Sequence, residues 1–177
     1  MTCVNDGVHA RLRSLRLTAA PLVVVPVLSF GLVGCSGAVA VEPAPSGYAP
    51  SCAQVYTGLP DEIAGLQRRP TTAQGAAAWT GVPTGSQDGR EVTVVLRCGV
   101  AQLSAIDTAG GCQAVEGDGV TVDWIPVDDG DGRTTWTTYG REPAVALEMP
   151  ADGNVTLAVP QAVAKAVSLV EQTAVCS

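Results

Sequence analysis

Apolar and polar positions fall into three regimes along the chain. From Leu17 to Val33 nearly every residue is apolar, with Pro21 and Pro26 inside the run. Residues 36–50, SGAVAVEPAPSGYAP, show neither a helical nor a strand period and read as a tether rich in small residues and proline. From Ser51 onward, helical spacing and strand alternation take turns. SCAQVYTGL places Cys52, Val55 and Leu59 on one helical face, with Ser51 as N-cap and Gly58 and Pro60 as stops. GAAAWTG fits either state. EVTVVLRCGV is β-branched and bounded by turn residues, so it predicts a strand. GVTVDWIPV alternates and predicts a half-buried strand, with Asp123 outward and Trp124 inward. RTTWTTYGR and PAVALEMP follow after short turns. VPQAVAKAVSLVEQ sets Val159, Val163, Ala166, Val167 and Val170 on one side of a closing helix. Consecutive strands with short connections imply an α+β fold: an antiparallel sheet of about four to five strands with an N-terminal and a C-terminal helix packed on it.

The first apolar run is preceded by Arg11, Arg13 and Arg16, the layout of a secretory leader. A membrane-spanning helix is the competing reading, at about the shortest length that crosses a bilayer, but two prolines interrupt it. Leu32-Val33-Gly34-Cys35 is similar to the bacterial lipobox, in which the cysteine thiol receives a diacylglyceryl group and the chain is cut between Gly34 and Cys35. Two acyl chains hold a protein on a membrane stably where one does so only marginally. The expected organisation is a signal peptide over residues 1–34, a flexible tether over 35–50, and a single globular domain over 51–177. The expected location is the outer, extracytoplasmic face of the cell membrane.

Composition then narrows the chemistry. Without residues 1–34, 7 basic and 16 acidic residues remain, a net charge of −9. That balance disfavours nucleic acid and anionic lipid headgroups as partners, because both need a positive surface. The single histidine, His9, lies in the leader. The remainder therefore lacks Ser-His-Asp and Cys-His machinery and the commonest zinc ligand sets. No phosphate-binding glycine loop is present, and the expectation is no cofactor, no metal and no catalytic residue. The Asp-Gly pairs in DDGDG (128–132) signal a hairpin; the EF-hand calcium pattern lacks its later ligands.

The ordered string SCAQVYTGLP, GLQRRP, AAAWTG, VVLRCGV, VDWIPV, TTWTTYGREPAVALEMP resembles the actinobacterial envelope family known as domain of unknown function 3515. Its most specific parts are Arg97-Cys98-Gly99, Arg68-Arg69 and the order of the tryptophans. The resemblance implies a secreted protein or lipoprotein and assigns no reaction. Four cysteines remain beyond the lipobox, an even number in an exported chain, and they allow three pairings. Proximity favours Cys98–Cys112, leaving Cys52–Cys176. The resemblance instead implies that the first-helix cysteine joins that of the RCG triplet, hence Cys52–Cys98 and Cys112–Cys176; the second pair stands outside the family pattern.

Two functions fit these readings. One is a non-catalytic lipoprotein that binds or positions an envelope protein or glycan, through a surface carrying Arg68, Arg69 or Arg97. The other is an envelope glycan hydrolase with two carboxylates facing each other across a cleft.

Overall fold

The computed structural model describes residues 37–103, 111–151 and 153–176. Helix α1 (Pro50–Gly58) opens with proline in its first turn, where a missing N–H costs nothing. Its N-cap position is Ala49, so Ser51 lies inside the helix. Eight antiparallel strands follow: β1 (Glu62–Ile63), β2 (Leu66–Arg69), β3 (Ala76–Gly81), β4 (Val92–Val100), β5 (Gln113–Gly117), β6 (Val120–Asp128), β7 (Arg133–Thr138) and β8 (Ala144–Pro150). Helix α2 (Gly153–Val167) completes the fold.

The α+β class holds, but among the described residues the sheet has eight strands in the order β1-β2-β3-β4-β8-β7-β6-β5. It is two four-strand meanders joined at the centre, where β4 pairs with β8. The strands beyond the expected four or five are β1, β2 and β5, which are short and polar, together with the ambiguous GAAAWTG, which is β3. Partners across the sheet, not their own periodicity, make them strands.

One face of the sheet forms the core. Leu66, Trp79, Leu96, Leu147, Met149, Trp136, Trp124 and Val122 pack with Val155, Val159, Val163 and Val167 of α2. The helix touches β5, β6 and β8 and also β1, so the sheet curls around it and brings both edge strands to the same helix. Gly117 allows this on β5: a Cβ there would fall 2.0 Å from the Gln161 carbonyl oxygen. α2 starts earlier than its apolar spacing predicts and carries Pro160 internally. Burial of Val155 ahead of the proline offsets the lost backbone hydrogen bond.

The other face is covered at both ends of the chain. Residues 37–50 are not a free tether where they are described. Val39 donates to the Pro70 carbonyl at 2.8 Å and accepts from Thr72 N–H at 3.1 Å, and Ser46 donates to the Gly99 carbonyl at 2.9 Å. At the other end, the tail after α2 bridges to β7–β8 through Arg141 and Gln172. It lies over Asp123, which is 5% exposed, so Asp123 and Trp124 are both buried on opposite faces of β6. The expected outward Asp123 is thus corrected; a strand alternates, but both of its faces are covered here.

Candidate functional site

The RCG triplet sits where four parts of the chain meet. Cys98 faces the core and is paired with Cys52 of α1, with Cα atoms 5.4 Å apart. Gly99 forms a bulge in the β4–β8 ladder with φ +95°. A Cβ on it would lie 2.3 Å from the Gly47 nitrogen, and one on Gly75 would lie 2.4 Å from the Gly47 oxygen. Gly47, Gly75 and Gly99 therefore let three backbones touch. Cys112 and Cys176, with Cα atoms 5.7 Å apart, fasten the chain's end beside β5. The structure thus brings together the pair implied by the family resemblance and the pair left by it, both within the span a disulfide bridges.

The three arginines do not share a surface. Arg68 faces the core side of β2 and donates to the carbonyls of Tyr56 (3.0 Å) and Leu59 (3.2 Å), which end α1. Its guanidinium also lies 4.3 Å from the centre of the Tyr56 ring. Both contacts make Arg68 a clamp on the helix C-terminus. Arg97 is ion-paired with Glu148 on β8, and the pair is partly buried. Arg69 is exposed on the outer face. Register places it opposite Ala78 while Arg97 is opposite Ala76, so β3 separates them.

A second polar cluster was not legible in the sequence. Arg141 is 4% exposed and donates to the Val170 carbonyl and, at 2.9 Å, to Oε1 of Gln172. Gln172 in turn donates to Asp123 at 2.9 Å, and the Cys176 N–H reaches the same oxygen at 3.0 Å. Burial holds Arg141 below its ordinary value, and the Asp123 charge opposes that shift. This relay spends both charged groups on fixing the tail. Nothing around YGREP or EQTAVC announces it, because only the tail's path makes Arg141 interior.

Three of the hollows among the described residues bear on the site. An apolar groove of about 370 Å³ runs between α1 (Ala53, Tyr56, Thr57) and residues 70–76. A more polar one of about 480 Å³ lies between Asp128, Thr134, Trp136 and Leu157. A smaller one of about 160 Å³ is formed by Ala40, Val41 and Glu42 over Arg97 and Glu148. That last hollow carries two carboxylates, but Glu148 is held by Arg97. No group of metal-ligating side chains occurs among the described residues. DDGDG closes the β6–β7 hairpin, with Asp129 accepting from the N–H groups of Asp131 and Arg133. Cys35 and Gly34, the expected lipidation and cleavage residues, lie outside the described residues.

With this geometry in view, the family model described as protein of unknown function (DUF3515) matches residues 18–175. That is most of the chain, and the chain belongs to this family. No curated protein and no solved structure matches it.

Proposed function

We propose that the protein is a membrane-anchored lipoprotein of the cell envelope, held through diacylglyceryl on Cys35, that binds or positions an envelope protein or glycan without catalysing a reaction. The observation that carries this reading is the continuity between anchor and domain. The lipobox ends at Cys35, and the backbone is hydrogen-bonded to the domain from Val39. The two cysteine pairs support an oxidising, exported setting. Polar side chains of the types that serve chemistry are used in architecture: Arg68 on α1, Arg97 with Glu148, Asp123 under the tail. No helix among the described residues is long and apolar enough to cross a membrane.

Detergent-phase partitioning and intact mass test the anchor. Wild type is expected in the detergent phase with a diacylated Cys35 and without residues 1–34, and Cys35→Ala in the aqueous phase. An unmodified Cys35 thiol on the exported protein sinks the reading. Glycan turnover that disappears in Glu148→Gln would establish the hydrolase instead.

A further inference from the structure

We infer that the domain rests directly on the membrane and presents one face to it: the β2 end carrying Arg69, the docked segment from Gly37 to Val41, and the rim of the α1 groove at Tyr56 and Pro70. The inference rests on the lipid anchor at Cys35 and deepens that reading by naming the surface and its partner, the phosphate layer of the bilayer.

Reach sets the orientation. Val39 is tied by hydrogen bonds to Pro70 and Thr72 and bridges Thr71. Four residues of extended chain cover at most about 14 Å, so Cys35 stays within that distance of Val39. A domain of this length has a radius of gyration of roughly 14 Å. A 15-residue free tether would let any face approach the lipid; a docked segment removes that freedom. What surrounds Val39 therefore becomes the membrane side.

Its chemistry suits a headgroup layer. Arg69 is exposed, and its guanidinium lies beside Gly37, where an added Cβ would sit 3.0 Å from Nη2. Among the described residues no carboxylate forms an ion pair with it, and planar guanidinium groups bind phosphate oxygens well. Tyr56 is 44% exposed at the mouth of the groove that Pro70 and Thr71 also line. Tyr48, 76% exposed, follows Gly47 of the same groove wall. Tyrosine rings favour the membrane–water boundary, with the apolar body inward and the hydroxyl wet. The rest of the surface is acidic on balance, and an anionic bilayer repels it. The same lipid surface thus selects the Arg69 face and disfavours the others.

Magnetic resonance on the full lipidated protein in phosphatidylglycerol-containing nanodiscs tests this, with a gadolinium-chelating headgroup as the broadening probe. Amide broadening is expected to be several-fold stronger at Val39–Val41, Tyr56 and Thr71–Thr72 than at Asp129–Gly132, the hairpin four strands away at the opposite strand ends. Arg69→Glu is expected to reduce the contrast while Arg69→Lys keeps most of it. A Gly/Ser spacer inserted after Ser36 is expected to erase the contrast with lipidation intact. Equal broadening at both places in the wild type, with the diacyl mass on Cys35 present, overturns the orientation and leaves the anchor standing. A missing diacyl mass overturns the anchor itself.

Discussion

Gly99 meets three demands at once. It takes a left-handed φ, it bulges the β4–β8 ladder, and it lets the backbone of Ser46 and Gly47 come into contact. The left-handed φ disfavours a side chain and the backbone contact leaves no room for one, so Gly99→Ala is expected to cost about 2–4 kcal/mol, as urea unfolding would measure. Gly130, with φ +83° and nothing near its missing Cβ, supplies the contrast. Gly130→Ala is expected to cost about 1 kcal/mol, the backbone penalty alone. Sequence patterning does locate Gly99 as a strand end after VVLRC. It does not reveal that Ser46 and Gly47, far earlier in the chain, land there. The same holds for Asp123, whose alternation predicts one exposed face and whose neighbours in space decide otherwise. Arg68, too, reads as a surface cation and is a helix clamp, since the carbonyls it caps belong to a different element.

At the level of elements, long β-branched runs declare themselves and short polar ones do not. β4 follows from its β-branched run, β6 from alternation, and β7 and β8 from the turns that set them off; β1, β2 and β5 exist because a neighbour offers backbone hydrogen bonds. The tail beyond α2 is the least legible element, because Gln172 and Cys176 acquire their roles only over Asp123. Gln172→Ala removes the partner of both Arg141 and Asp123, leaving two buried charged groups short of a hydrogen bond. It is expected to cost about 2–3 kcal/mol in thermal or chemical unfolding, with Gln172→Glu worse because a second carboxylate would then face Asp123. The turn before β4 supplies a pH test. The Ser86 hydroxyl, at 2.7 Å, and then the Arg90 N–H hold Asp88 below its ordinary value. A depressed carboxyl stabilises the turn fully above about pH 4 and loses that contribution as pH falls through its folded value. Carbon-detected titration is expected to give Asp88 a midpoint below about 3.9, moving up toward it in Ser86→Ala.

For the whole molecule, the cysteine pairs matter most because they close long loops. Separations of 46 and 64 residues correspond to about 4 kcal/mol each on the chain-entropy estimate. Replacing Cys52 and Cys98 by serine is expected to lower stability by up to that amount and also to loosen α1 and the docked segment. Replacing Cys112 and Cys176 is expected to release the tail first, visible as faster amide exchange around Tyr139 and Gly140. Fold class and the even cysteine count were legible in the sequence, and the Cys52–Cys98 pairing came with the family resemblance, leaving Cys112–Cys176 as the second pair. The curl of the sheet was not legible, because it depends on β1 and β5 both reaching α2. That dependence bears on how the chain acquires its shape during synthesis. All eight strands precede Gly153 in the sequence, so the sheet is complete in length before the helix that both its edges touch has emerged. Until then the valines and tryptophans of its inner face lie open, the state in which chaperones and proteases find a chain. A chain stopped at Pro150 would carry every strand and lack the helix that both edges of the sheet touch.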